Sequence, residues 1–501
     1  MYDICIIGAG VVGSFVAREL SKYKLKVLIL EKNSYVCSEV SKANSAIFHS
    51  GYNNKPKTIK AKYCTRAHEI IDEICSDLDV EYKKTGSLLV SLNDIGKDSI
   101  YEKYKNGVKN KVPGIKILEK KEILELEPNI SDQATLALYA PTTGVINPFE
   151  MTIAACENAI ENGVSLKLNS EVIGISKQKL KDFDSEALFE IKCKDKSKYY
   201  SKILINCAGI HTDKINNMIS NDKFFEVAPK KGEYIVLDKL EGEIVNNVVF
   251  MTKDPDDKKN RGIIVTPTTS GNILLGPSAE DTKENDSVFT TKEKLDFIQN
   301  SAKKICPSIN LDNIITYFAG FRPNANLFIK NKDTGEIEKE KSKDFIVKQS
   351  SDVKGLINVA GIKSPGLTCA PAIAEDVANM VVEILGQVEK NESFNPKRKK
   401  VVKFKNLDEA SRNELIKSNK SYGNIICNCE MITEGEILDA IHRKCGATTL
   451  DGLKKRTRIG MGRCQGNFCT LKALEIMSRE LKIPIEKLQK SNQGSEFFVE
   501  E

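Results

Sequence analysis

Three glycines fix what the first thirty residues can become. Gly8, Gly10 and Gly13 follow an apolar run at residues 4–7, and they open a segment in which Val12, Phe15, Val16 and Leu20 recur at helical spacing. That order, strand, glycine turn, helix, is what gives a G-x-G-x-x-G pattern its meaning. Gly8 makes the tight turn, Gly10 lets the backbone approach a pyrophosphate, and Gly13 lets helix and strand pack closely. The helix N-terminus then offers unpaired N–H groups and a partial positive charge to that anion. A second apolar run at residues 27–30 completes a β-α-β unit, the building block of a doubly wound sheet. It ends at Glu31, eighteen residues after Gly13, where a carboxylate accepts ribose hydroxyls and repels a 2′-phosphate. The motif specifies a dinucleotide without choosing between FAD and NAD.

The rest of the chain is long enough for roughly two to four domains. Hydrophobic residues at 41% and charged residues at 29% are those of a soluble globular chain with a sizeable core. The net charge of +6, from 75 Lys and Arg against 69 Asp and Glu, is spread along the chain and does not argue for nucleic acid. No apolar run approaches the roughly 18 to 20 residues of a membrane span, and the N-terminus lacks the marks of a signal peptide. The expected place is the cytoplasm, with peripheral attachment to a membrane only through a partner. Of fourteen cysteines, ten are scattered singly, mostly in apolar segments, as reduced buried thiols are. The other four, Cys427, Cys429, Cys464 and Cys469, form C-x-C, then 34 residues, then C-x4-C. Two such pairs can hold Zn²⁺ or a [2Fe–2S] cluster, and spacing alone does not separate these.

Strand-like and helix-like segments alternate to about residue 385, with polar breaks at 252–261 and 330–343 that read as exposed turns or hairpins. Composition then shifts to Lys, Asn, Glu and Ser, and Pro396-Lys397-Arg398-Lys399-Lys400 reads as part of a solvated linker. The expected division is 1–386, a linker at 387–421, a helical unit at 422–490 and a loose tail at 491–501. Within the helical unit, Thr433 and Glu436 form a capping box, and a second helix starts after Thr448-Thr449. Cys445 falls outside the pairs and reads as helix packing.

Three further segments carry a resemblance. Ile203-Leu204-Ile205-Asn206-Cys207-Ala208-Gly209 is a buried strand ending in a small-residue turn. Leu356-Ile357-Asn358-Val359-Ala360-Gly361 is another, followed by Lys363, Gly366, Leu367 and Thr368 and a helix expected from about Pro371 to Leu385. Asn44-Ser45-Ala46-Ile47-Phe48-His49-Ser50-Gly51-Tyr52 is the third. With the glycine motif, these resemble the D-amino-acid-oxidase-like flavoprotein superfamily over residues 1–385, and within it FAD-dependent glycerol-3-phosphate dehydrogenases and their 2-hydroxyglutarate dehydrogenase relatives. The resemblance implies FAD and an α/β architecture: a two-domain, Rossmann-like FAD-binding flavoprotein with an inserted, mainly β substrate domain. It implies cofactor contacts at Gly8, Gly10, Gly13, Glu31, Ser45, Ala208, Gly209, Gly361, Gly366, Leu367 and Thr368. In that family the substrate donates hydride to flavin N5 while cations hold its anionic end. Arg322, in Phe318-Ala319-Gly320-Phe321-Arg322-Pro323, and Lys363 match those cations, and a guanidinium and an ammonium suit phosphate or carboxylate oxygens. His49 and Tyr52 would pass beside the flavin, His49 as proton acceptor, as flavin contact (covalent in some relatives) or as a structural residue, and Tyr52 orienting the substrate. Lys231 either adds positive charge to the pocket or ends an exposed strand.

Residues 425–472 resemble the bacterioferritin-associated-ferredoxin-like [2Fe–2S] domain, which favours the cluster over zinc and makes the C-terminal unit a small α-helical domain. The large subunits of anaerobic glycerol-3-phosphate dehydrogenases join the same two parts. The resemblance therefore implies oxidation of sn-glycerol 3-phosphate to dihydroxyacetone phosphate, with electrons leaving singly to a partner redox subunit or carrier and on to a quinone or another acceptor other than oxygen. Arg456, Arg458 and Arg463 either dock that partner or are solvated helix charges. The alternatives are a 2-hydroxy acid such as 2-hydroxyglutarate, an amine, or a non-catalytic electron-transfer subunit. Arg322 and Lys363 argue against the last, because a relay has no use for paired cations facing a substrate.

Overall fold

The structure is a computed structural model that describes residues 1–179, 188–252, 262–282, 288–331 and 336–498. Tyr2–Ile7 pairs in parallel with Val27–Leu30 on one side and Lys198–Asn206 on the other. Leu356–Ala360 and Ser165–Lys167 extend the parallel sheet outward. Its central strands are buried on both faces, as a parallel sheet requires. The helices Val11–Leu20, Pro148–Glu161 and Gly366–Leu385 supply Phe15, Cys156, Ile373 and Val377 to one shared core. The glycine turn lies at the carboxyl end of the first strand, where ligands of such sheets sit.

A second, nine-stranded sheet is built from two stretches of chain inserted into this frame. Its core gathers Leu88, Ile235, Val265, Leu275 and Ile298. Lys230–Leu237 runs antiparallel to Ile314–Arg322, which sets Lys230 opposite Arg322 and Gly232 opposite Gly320. That register brings the Arg322 end of the β domain over the parallel sheet. Of the two polar breaks, 253–261 lies outside the described residues, and 330–343 contains a hairpin strand, Ile337–Lys341, paired with Ala325–Lys330.

The helix expected from Pro371 begins at Gly366, five residues earlier. Proline favours a helix's first turn, but here the glycine turn leads straight into the helix and Pro371 lies inside it.

The C-terminal unit packs Glu434–His442, Leu450–Thr457 and Thr470–Leu481 around Ile437, Leu453 and Met477. Thr433 and Glu436 make the expected capping box, and Thr449 caps the second helix through the N–H of Gly452. Much of the segment read as a solvated linker is exposed, Lys397, Lys399 and Lys400 included, but two of its residues tie it to the FAD-binding frame. The carbonyl of Asn395 accepts from Asn158 and Asn162, and Arg398 is buried against Glu157 at 2.6 Å. Glu157 also meets Arg443 and Arg456 of the C-terminal unit. On the β domain side, buried Glu430 pairs with Arg458, Lys239 and Lys405. Arg456 and Arg458 are therefore neither solvated nor open to a partner. Cys445 lies beyond the end of Glu434–His442, its carbonyl accepting from Arg456, and packs against the core beside Cys156 of the Pro148–Glu161 helix. The chain end also folds back, with Gln489 bridged to Glu496.

Candidate active site and cluster site

A cavity of about 380 Å³ runs from Glu31 past the glycine turn to Arg322 and Lys363. At its first end the backbone has no room for side chains. Gly8 has φ +103°, and a Cβ there would lie 2.6 Å from the Cys207 carbonyl oxygen; one at Gly13 would lie 2.0 Å from the Gly8 oxygen. Gly10 faces the cavity, and Ser41 Oγ accepts from the Val11 N–H at 2.9 Å. Glu31 accepts from the Ala9 and Asn33 N–H groups; burial still pushes its carboxyl above the ordinary range. Next to it, burial works against the Glu39 charge, but His211 and Lys32 outweigh it and hold that carboxyl at about 2. This cleft fits a dinucleotide: a turn stripped of Cβ atoms, a helix N-terminus and a buried carboxylate follow one another along it.

The opposite end gathers Ser45, His49, Tyr234, Arg322, Ile362, Lys363 and Ser364. Arg322 donates through Nη2 to the Ser278 carbonyl at 2.9 Å, while its Nη1 is buried with no hydrogen-bond partner among the described residues. Lys363 donates to the Ser342 carbonyl at 2.9 Å and borders the same space. The His49 ring lies with Nε2 3.2 Å from Ser364 Oγ. Its backbone is pinned from two sides: the N–H donates to Thr368 Oγ1 at 2.9 Å, and the carbonyl lies 2.9 Å from His68 Nε2. Burial and the neighbouring His68 lower the His49 ring to about 4, so it is neutral at pH 7 and able to accept a proton.

Of the expected cofactor contacts, Gly8, Gly10, Glu31, Ser45, Ala208, Gly209, Gly366 and Leu367 line the cavity. Gly13, Gly361 and Thr368 stand behind it, Gly13 beneath the turn, Gly361 in a left-handed turn at φ +66°, Thr368 holding His49. Tyr52 does not reach the cavity. The turn at Gly51 (φ +103°) sends it into a separate core with Ile100, Val112 and Leu138. Lys231 adds no charge to the cavity either, because Glu233 and Glu280 neutralise it at 3.3 and 3.2 Å. Ser41, Tyr234 and Ser364 were not singled out from the sequence; they arrive through contacts between distant segments.

The four cysteines of the C-terminal unit come together as two pairs. Cys429 and Cys464 have their sulfurs 3.6 Å apart, and Cys427 neighbours Cys469. A two-iron cluster takes two thiolates per iron, which is what two such pairs supply. A Cβ at Gly462 would lie 2.3 Å from Cys429 Cβ, so this glycine lets the two loops close on each other. Burial opposes the Cys464 thiolate, yet the N–H groups of Gly466, Phe468 and Asn467 together with Cys429 hold it below its ordinary value. Burial and Cys427 push Cys469 up to about 12 in the absence of a metal charge.

A dinucleotide cleft closed by a β domain, with a guanidinium at its far end, is the frame of a dinucleotide-dependent oxidoreductase. Residues 3–380 match the family described as FAD dependent oxidoreductase, and the chain belongs to that family. Residues 425–479 match the BFD-like [2Fe–2S] binding domain, so FAD and a [2Fe–2S] cluster are its cofactors. The chain is 45% identical to a glycerol 3-phosphate dehydrogenase of Caloramator mitchellensis, over 99% of this chain and 98% of that one. It is 31% identical to a glycerol 3-phosphate oxidase of Mycoplasma genitalium, over 79% and 97%. The FAD-bound L-alpha-glycerophosphate oxidase structure from Mycoplasma pneumoniae superposes with a TM-score of 0.69 at 29% identity, covering 79% of this chain and 98% of that one. Among the described residues no helix is long and apolar enough to cross a membrane.

Proposed function

We propose that this protein oxidises sn-glycerol 3-phosphate to dihydroxyacetone phosphate. The observation that carries the reading is Arg322: a permanently charged guanidinium that borders the cavity and whose buried Nη1 has no acceptor among the described residues. An unpaired buried donor is costly, and a phosphate oxygen removes that cost with a charge-assisted bond. Lys363 adds a second cation on the same side, and the relatives named for glycerol 3-phosphate support the choice of anion. FAD supplies the hydride acceptor. His49 Nε2, neutral and beside Ser364 Oγ, accepts the hydroxyl proton as the C–H bond breaks, and Ser364 orients the ring. Electrons leave the protein one at a time to a redox partner; an acceptor in a membrane would be reached through that partner.

Anaerobic dye reduction with glycerol 3-phosphate, 2-hydroxyglutarate and glycerol tests this reading. The expected result is a kcat/KM for glycerol 3-phosphate at least about a hundredfold above the other two. A preference for 2-hydroxyglutarate or for the uncharged alcohol overturns it.

A further inference from the structure

Phe468 is the most exposed large apolar side chain among the described residues, at 81%, and it sits between two cluster cysteines, Cys464 and Cys469. Leu471 follows at helical i+3 spacing and is 57% exposed; Met431, two residues past Cys429, is exposed as well. None of the three serves the core of the domain, which Ile437, Leu453 and Met477 fill. Cys429 is exposed and Cys464 half-buried, so these side chains frame the edge where the thiol group meets solvent. Large apolar side chains exposed at positions next to the cluster cysteines mark a surface that something covers.

The charges at its rim have one predominant sign. Arg463 and Lys472 are exposed and belong to no ion pair of the described residues. The other nearby cations, Arg456 and Arg458, are neutralised by Glu157 and Glu430, and Glu430, the acid next to Cys429, is buried. Of the described acids between residues 425 and 480, only Glu475, a turn farther along the last helix, is exposed. An apolar centre with a cationic rim fits a partner whose own redox face is acidic.

We propose that this face docks a small acidic electron-carrier protein that accepts one electron per encounter. The proposal deepens the functional reading above and rests on it. Oxidising an alcohol to a ketone releases two electrons and two protons, so two oxidised carrier molecules each gain one electron and two protons pass to solvent. Apolar contact at Phe468 and Leu471 holds the carrier, and Arg463 and Lys472 steer it.

The test uses the oxidised holoprotein and a reduced bacterial [4Fe–4S] ferredoxin, an acidic carrier, in anaerobic stopped flow, with flavin bleaching followed at about 450 nm. The bimolecular rate should fall about tenfold between roughly 50 and 300 mM salt. It should fall by a similar factor in Lys472→Glu and in Leu471→Ser, while iron content and flavin reduction by glycerol 3-phosphate stay at parent levels. Unchanged rates in both variants, or a rate that rises with salt, overturn the proposal. So does a parent dimer that Leu471→Ser converts to monomer, since a second copy would then cover the face, and so does a parent that binds no iron. A protein that meets the ferredoxin criteria but is not reduced by glycerol 3-phosphate keeps the docking face and loses only the substrate assignment.

Discussion

The side chain that Gly232 lacks would place its Cβ 2.7 Å from Nη2 of Arg322 and 3.1 Å from the Ser278 carbonyl oxygen that Nη2 binds. Gly232 lies directly across the strand pair from Gly320, whose own missing side chain makes room for Ala43, so the gap that holds the guanidinium is Gly232's. Gly232→Ala should therefore push Arg322 off its anchor without touching the cofactor cleft. The expected outcome is a kcat/KM lower by about ten- to a hundredfold for glycerol 3-phosphate, with flavin content unchanged. Parent-level kcat/KM would show that the gap does not position Arg322.

Removing the cations themselves is the stronger test. Arg322→Ala and Lys363→Ala should each lower kcat/KM by about two to three orders of magnitude, or roughly 3 to 4 kcal/mol, while FAD and iron stay bound. Glycerol, with no phosphate to lose, should be oxidised poorly and about equally by parent and variants. A similar drop for glycerol would point to damage in the fold rather than to anion recognition.

What could be read before folding was what is local in sequence. The strand, glycine turn and helix at residues 2–20, the Thr433–Glu436 capping box and the two cysteine pairs each declare themselves within a short stretch of chain. Contacts that close over long separations do not. Thr368 meets the His49 N–H across 319 residues, and Arg456 meets Glu157 across 299. The resemblance sends Tyr52 beside the flavin together with His49, but the left-handed turn at Gly51 separates their side chains. Lys231 did carry a readable warning: in a strand, residues two apart share a face, and Glu233 is that residue.

The His49 ring gives a pH signature. Its value of about 4 lies below the ordinary 6.5 because burial disfavours the imidazolium, so the proton-accepting form persists as pH falls well below 6.5. Single-turnover flavin reduction at saturating substrate should stay flat from about pH 8 to about 5.5 and decline only toward 4. His49→Gln should slow that step and abolish the acid limb. The same shift has a stability sign: between the two values the unfolded chain binds a proton that the native ring refuses, so native stability drops as pH falls through that window.

Cys427→Ser and Cys464→Ser each remove one thiolate of four, and one from each pair. The parent should carry about two irons per flavin. Either variant should lose that iron and its visible absorption while keeping the flavin band, because the FAD cleft is built from other segments. Stoichiometric zinc in place of iron after anaerobic purification would overturn the cluster assignment.

Glu157 joins three parts of the chain: its own helix Pro148–Glu161, the strap through Arg398, and the cluster domain through Arg443 and Arg456. Burial alone would raise its carboxyl, but Arg456, Arg398 and Arg443 outweigh that and hold it below its ordinary 4.5. Its contribution is present above 4.5 and is lost as pH falls through the lower native value. Glu157→Gln leaves Arg398 and Arg456 buried without their carboxylate, while Arg443 keeps Asp439 at 2.6 Å; the change is on the order of 3 to 5 kcal/mol. That penalty falls on the contact between the FAD-binding frame and the cluster domain, since each of those has its own core. Calorimetry should show the parent's C-terminal domain melting with the rest and the variant's melting earlier, with new protease cuts in residues 387–421. Flavin content should hold, because Glu157 does not border the dinucleotide cleft. A variant that melts and resists protease as the parent does would mean that the Glu430 pairs with Arg458, Lys239 and Lys405 hold the domain by themselves.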